Sequence, residues 1–143
     1  MNVATVLKAK GRAVATAHTE TKLKDIAIQL AQKKIGAIVV VDDRDEVVGI
    51  VSERDLVRAI ASGGREILQT PVTDFMTRDV ITCGEDRTID EMMELMTKGR
   101  FRHVPVVNNG KLVGIVSIGD VVKNHIAEVE MEVSAMRDYL STG

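Results

Sequence analysis

The feature that most constrains this chain is that it contains itself twice. "RAVATAHTETKLKDIAIQLAQKKIGAIVVVD" (12–42) lies over "RDVITCGEDRTIDEMMELMTKGRFRHVPVVN" (78–108) at an offset of 66 residues. From Val47 and Leu112 onward the offset is 65, because "DRDE" in the first copy faces "NGK" in the second. A surface turn tolerates such a one-residue change. Each copy then reaches the same device, "GIVSERD" at 49–55 and "GIVSIGD" at 114–120. A unit of about 60 residues buries its surface poorly alone. The 143 residues are therefore expected to form one compact body, or two small ones sharing a core.

The periodicity changes in the same order within each copy. Leu23, Ile26, Ala27 and Leu30 follow i, i+3, i+4, i+7, and Ile89, Met92, Met93 and Met96 repeat that spacing, which predicts two amphipathic helices. "AIVVVD" with "VVGIVS", and "VPVVN" with "LVGIVS", are paired β-branched runs across short turns and predict two hairpins. "ERDLVRAIA" and "IGDVVKNHIAEV" return to helical spacing, while "AVAT" and "VIT" look like short lead-in strands. The unit is strand, helix, strand, strand, helix. Between the copies, Gly63, Gly64 and Pro71 break regular structure, and "VTDFM" offers one helical turn. Pro105 lacks a ladder donor, so its end of the strand is expected to be an edge or an opening.

Ser52-x-x-Asp55 and Ser117-x-x-Asp120 admit two readings. One is helix capping: the serine accepts a bond from a free backbone N–H, and the acid favours the positive end of the helix dipole. The other uses the same geometry on a ligand. A helix N-terminus and a serine hydroxyl suit a phosphate, while a carboxylate one turn in can accept both hydroxyls of a ribose. Gly49 and Gly114 in the preceding strands either admit a ligand or permit close packing.

Composition removes several alternatives. Hydrophobic residues at 45% and charged residues at 28% describe an ordinary globular chain. A net charge of −2 and an aromatic set of Phe75, Phe101 and Tyr139 do not suit nucleic acid. One cysteine, Cys83, excludes an intrachain disulfide and a multi-thiolate zinc site. It reads as a small apolar wall residue, since no neighbouring base or charge is visible to activate it. His18, His103 and His125 show no metal-ligand spacing, and no catalytic triad or carboxylate pair is recognisable. No metal, no catalytic cofactor and no enzymatic activity are expected. With no stretch of about 18 apolar residues and no signal core, a cytoplasmic protein off the membrane is expected.

These residues carry a resemblance. Two copies of strand-helix-strand-strand-helix, each ending in G-I-V-S-x-x-D, resemble a tandem pair of cystathionine-β-synthase (CBS) domains. That module occurs in inosine monophosphate dehydrogenase and in the γ subunit of AMP-activated protein kinase. "SERDLVRAI" and "GRFRHVPVV" are similar to free-standing bacterial CBS-pair proteins. The resemblance implies an α/β fold of two β-α-β-β-α repeats packed around a pseudo-twofold axis, with a C-terminal amphipathic helix. The divisions are repeat 1 at 3–61, a linker at 62–76, repeat 2 at 77–126 and a helical extension at 127–143.

It also implies two clefts that bind adenosine-type ligands. AMP comes first among them, with ATP, ADP, NAD and S-adenosylmethionine as alternatives that share the ribose diol. Carried over, the first cleft takes Ser52, Arg54 and Asp55 with Thr82, Cys83, Phe101, Arg102 and His103. The second takes Ser117 and Asp120 with Thr16, Ala17, Gly36 and Ala37. Gly119 replaces Arg54, and Gly36-Ala37 replaces Arg102-His103, so phosphate is expected to favour the first. The function implied is a regulatory sensor of adenine nucleotides, coupled to an unidentified regulated protein through a ligand-dependent conformational change. The alternative is a non-catalytic scaffold whose clefts are vestigial.

Met92, Met93 and Met96 match Ile26, Ala27 and Leu30 and read as filling of the shared core. In the tail, Val122, Ile126, Val129, Val133, Met136 and Leu140 step by 4, 3, 4, 3, 4, a heptad seam. It predicts a homodimer through the tail, the alternative being a helix folded back on its own domain.

Overall fold

The computed structural model describes residues 1–142; Gly143, the last residue of the expected extension, lies outside the described residues. The elements are α1 (Val3–Lys10), β1 (Thr16–His18), α2 (Leu23–Lys33), β2 (Ala37–Val41), β3 (Val47–Ser52), α3 (Glu53–Gly63), α4 (Ile89–Gly99), β4 (His103–Asn108), β5 (Lys111–Ser117) and α5 (Ile118–Thr142). Two 3₁₀ turns, Arg65–Gln69 and Val72–Asp74, occupy the linker, the second where "VTDFM" suggested a helical turn.

The duplication is preserved in detail. Leu23, Ile26 and Leu30 of α2 are buried, as are Ile89, Met92 and Met96 of α4. Both helices end on a non-glycine residue in the left-handed region, Lys34 (φ 53°) and Arg100 (φ 56°), whose N–H returns to Leu30 and Met96 respectively. Both hairpins carry an irregularity at the same place, between Val40 and Val41 and between Val106 and Val107. The turns differ as their lengths require. Asn109 (φ 52°) and Gly110 (φ 78°) form a two-residue turn between Asn108 and Lys111, with the positive φ values that such a tight hairpin demands. In the longer turn, Asp42 Oδ1 accepts from the N–H groups of Arg44 (2.9 Å) and Glu46 (3.0 Å).

The lead-in strands part company. The first is β1, at Thr16–His18, three residues later than the start of "AVAT"; it runs parallel to β2. The second, expected at "VIT", is no strand: Cys83 makes a single parallel bridge to Val106. Pro105 supplies the reason. In the first repeat Val39 N–H donates to Ala15 O (3.1 Å), and the residue matching Val39 is Pro105, which has no N–H to give Ile81. Pairing resumes only where Cys83 N–H reaches Pro105 O (3.1 Å) and Val107 N–H reaches Cys83 O (2.9 Å). The proline opens that end of the sheet, as its chemistry predicts.

The expected shared core is in fact two cores, one per repeat. The first gathers Ala17, Leu23, Ile26, Leu30, Ile38, Val40 and Val51 with Ile67, Val72 and Met76 of the linker. The second gathers Cys83, Ile89, Met92, Met96, Val104, Val106 and Val116 with Val3, Val6 and Leu7 of α1. Each repeat is thus closed by a segment from beyond its own hairpin. Helix α1, at the head of the expected first repeat, completes the second repeat, and the linker completes the first. A small sheet with one helical layer leaves apolar surface uncovered, and these segments cover it.

This closure explains both strand glycines. A Cβ built on Gly49 would stand 2.3 Å from Met76 Sδ, and one on Gly114 would stand 2.6 Å from Leu7 Cδ2. Close packing, not ligand access, is what the glycines serve. Helix α5 continues for 25 residues, roughly 38 Å at 1.5 Å per residue, without folding back. Its seam is exposed in the single chain, with Met136 68% and Leu140 72% accessible. Among the described residues no helix is long and apolar enough to cross a membrane.

Candidate functional site

The first motif sits at the junction of β3 and α3. Ser52 is the N-cap: its Oγ accepts from Asp55 N–H (3.3 Å), while Asp55 Oδ2 accepts from Ser52 N–H (2.8 Å) and Ser52 Oγ–H (3.0 Å). The second motif repeats the box, with Ser117 N–H to Asp120 Oδ2 at 2.9 Å and Asp120 N–H to Ser117 Oγ at 3.1 Å. Capping is therefore realised in both copies. It commits one carboxylate oxygen of Asp55, and among the described residues no donor reaches Oδ1.

A cleft of about 610 Å³ opens beside the first motif. The first repeat contributes Gly36, Ala37 and Ser52 to Asp55; the second contributes Arg100 to His103 and the lead-in residues Asp79, Val80 and Ile81. Ile50, Val57, Val80, Ile81 and Phe101 give it apolar walls, and Arg54, Arg100 and Arg102 give it three guanidinium groups. Such a mixture of apolar walls and few convergent polar groups is what small-ligand clefts present.

Six of the eight residues expected here are together: Ser52, Arg54, Asp55, Phe101, Arg102 and His103. Thr82 and Cys83 are not among the lining residues, and Asp79, Val80 and Ile81 stand in their place. Cys83 lies in the second core, where burial pushes its thiol up to about 11, against the opposing effect of Arg87 and with a further push from Asp86. Gly36 and Ala37, expected in the second cleft, line the first. The two strand starts meet across the pseudo-twofold axis, so that a Cβ on Gly36 would be 3.2 Å from His103 Cε1. Sequence matching assigns each strand start to one cleft and cannot register this contact.

His103 is half-buried, and its ordinary value is lowered by burial first and then by Lys10 and Arg102, with Asp120 and Glu53 opposing. At the second motif, Lys10 of α1 donates to Asp120 Oδ2 (2.6 Å) and to Ile115 O (2.9 Å). Burial raises the Asp120 carboxyl, but Lys10 and the N–H and hydroxyl of Ser117 outweigh it and hold the group below the usual carboxylate range. Of the residues expected with it, Thr16 is exposed at the start of β1 and Ala17 is buried in the first core.

One constellation has no signal in the sequence. Asp90, His125 and Glu128 bring their ligand-type atoms within 4.8 Å of one another, although Asp90 lies on α4 and the other two on α5. The His125 Nδ1 to Asp90 Oδ1 distance is 3.4 Å, and Glu128 is already paired with the Met1 ammonium at 2.5 Å.

Comparison with known proteins agrees with this architecture. The CBS domain family matches residues 11–62 and 72–126. An uncharacterised protein of Methanopyrus kandleri is 36% identical over 126 residues, covering 85% of this chain. The chain spans 64% of that relative's length. The crystal structure of a CBS-domain containing protein from Agrobacterium tumefaciens shares 48% identity at a TM-score of 0.84, covering 87% of this chain and 99% of that one. A CBS domain protein from Pyrobaculum aerophilum, complexed with AMP, superposes with a TM-score of 0.76 at 29% identity over 84% of this chain and 89% of that one. The CBS domain pair of protein MJ0100, in complex with 5-methylthioadenosine and S-adenosyl-L-methionine, gives 0.78 at 28% identity over 87% and 99%. Duplicated sequence, paired sheets and the matching of both copies lead to one conclusion: the chain belongs to the CBS-domain family, as a tandem pair of CBS domains.

Proposed function

We propose that this CBS pair is a regulatory module that binds an adenine nucleotide, AMP in the first instance, in the cleft beside Ser52 and Asp55, and that it performs no chemistry of its own. The observation that carries the reading is the composition of that cleft. Asp55, with Oδ1 uncommitted, faces Arg102 and His103 of the other repeat across about 610 Å³. A carboxylate for a ribose diol, guanidinium groups for a phosphate and aliphatic walls for a base occur together there. Related CBS pairs hold AMP, or 5-methylthioadenosine and S-adenosyl-L-methionine, which supports an adenosine ligand. Because both repeats line the cleft, a ligand that prefers one relative placement of the repeats shifts the population toward it.

A thermal-shift panel with AMP, ADP, ATP, NAD, S-adenosylmethionine and adenosine tests this reading. Stabilisation grows as RT ln(1 + [L]/Kd), so at about 100 times Kd it amounts to roughly 2.7 kcal/mol. Specific stabilisation by one ligand is expected. No stabilisation at millimolar concentration of any of them would leave the scaffold reading, which the exposed seam of α5 favours.

The seam also supports a homodimer. Val133 is 44% and Met136 68% exposed on a helix that extends past the last strand, and apolar stripes of this kind are ordinarily covered. Truncation after Ile126, or Val133→Glu with Met136→Glu, is expected to shift the mass in analytical ultracentrifugation toward the monomer at micromolar concentration. An unchanged dimer at every dilution would place the interface on the repeats.

A further inference from the structure

Lys10 is paired, at the second motif, with the group that the ligand reading assigns to ribose. Its ammonium is 2.6 Å from Asp120 Oδ2, the same oxygen that accepts from Ser117 N–H, and it also donates to Ile115 O at 2.9 Å. The position is built, not incidental. Val3, Val6 and Leu7 bury α1 in the second core, Leu7 fills the space that Gly114 leaves open, and Gly11 (φ 101°) ends the helix directly after Lys10 with its N–H on Leu7 O (2.7 Å). The ammonium is thus carried on a rigid support, and the pair is partly withdrawn from water, at 33% and 25% side-chain exposure.

The first repeat has no counterpart. Met76 of the linker matches Leu7, since its thioether packs over Gly49 as Leu7 packs over Gly114, and among the described residues no cation beyond it pairs with Asp55. Among the described residues Asp55 meets only its own cap, whereas Asp120 meets its cap and a cation. Oδ1 of Asp120, like that of Asp55, carries no donor among the described residues, but a diol that binds both carboxylate oxygens must displace the charged donor from Oδ2, and a charged hydrogen bond in a partly dry site is the stronger of the two.

Resting on the nucleotide-binding reading, we propose that Lys10 is an intramolecular occupant of the second cleft that restricts the chain to one adenine nucleotide, held beside Asp55. The second cleft keeps the family motif but is closed by the chain's own N-terminal helix. Any process that withdraws α1 from the second repeat would expose a second nucleotide site.

The test is calorimetric titration of AMP into the full chain, into Lys10→Met, which removes the charge and the donor but keeps an unbranched chain, and into Lys10→Gln, which removes the charge but keeps a polar chain. The wild type is expected to bind one AMP per chain, and both variants two. In the Asp55→Ala background, where the first cleft is weakened, Lys10→Met is expected to restore one site of higher affinity. A wild-type stoichiometry of two, or Lys10 variants that melt normally and still bind one, would overturn the assignment of Lys10 while leaving the nucleotide reading intact. Weaker AMP binding in Lys10→Gln would likewise overturn it, by making Lys10 a ligand contact. Absence of binding in the wild type and every variant up to millimolar AMP would overturn the nucleotide reading itself.

Discussion

Asp55 and Asp120 descend from the same position of one repeated unit, and both complete a capping box with the preceding serine. Their surroundings are nonetheless different. Asp55 opens onto a cleft shared with Arg102 and His103, while Asp120 is held by Lys10. The local motif is the same in both, so it cannot be what distinguishes a binding carboxylate from a structural one. The distinction comes from what the rest of the chain brings: a loop of the other repeat in one case, the N-terminal helix in the other.

The sharpest way to break this comparison is to remove the two acids separately. Asp55→Ala is expected to weaken AMP by roughly tenfold to a hundredfold, because each hydrogen bond to a charged acceptor contributes about 1.5–3 kcal/mol. Asp120→Ala is expected to leave AMP affinity within about twofold and to lower the melting temperature through its cap. If calorimetry gave unchanged affinity for Asp55→Ala and only a lower melting temperature, Asp55 would be a capping residue like its counterpart.

The next contrast concerns the glycines under the closing segments. Alanine at either Gly49 or Gly114 is expected to destabilise the chain by about 1–3 kcal/mol in urea unfolding, because a methyl group must enter filled space. Gly114→Ala is expected to cost more, since Leu7 is branched and fixed on α1 whereas the Met76 thioether can re-route. The reverse order would show that the linker, not α1, is the more rigid of the two.

Arg102→Gly with His103→Ala gives the second repeat the strand start of the first. Affinity for AMP is expected to fall about tenfold, and that for adenosine to change little, because the lost groups act on phosphate. Equal losses would mean that the pair shapes the pocket only.

The smallest effect is a pH dependence. His103 is lowered by burial and by Lys10 in the free protein, and a bound phosphate raises it again, so binding takes up a proton. The His103-dependent part of AMP affinity is therefore expected to rise as pH falls toward the ordinary histidine range. Adenosine should show no such slope, and His103→Ala should abolish it for AMP.

Much of this was legible in the linear chain. The helices of each unit follow from apolar residues three and four apart, the hairpins from β-branched runs, and the tight second turn from Asn109-Gly110. The behaviour of Pro105 follows from its missing N–H. These are properties of neighbours in sequence, and two copies made each of them readable twice. The resemblance to CBS pairs implied one cleft for Ser52, Arg54, Asp55 and the 101–103 segment, which line one cavity here, though it set Thr82 and Cys83 where 79–81 stand.

Only the tertiary structure decided which segment closes which repeat. Val6 and Leu7 stand at the head of the first unit but complete the second core, and nothing in their own spacing directs them there. The same crossing brings Lys10 to Asp120, 110 positions away, and seats Gly36 against His103 at the axis. Hydrophobic burial is non-directional: it requires that an apolar stripe be covered but not by what. Periodicity therefore determined the elements, and the choice of covering surface, available only once both repeats stand side by side, made two similar motifs into unlike sites.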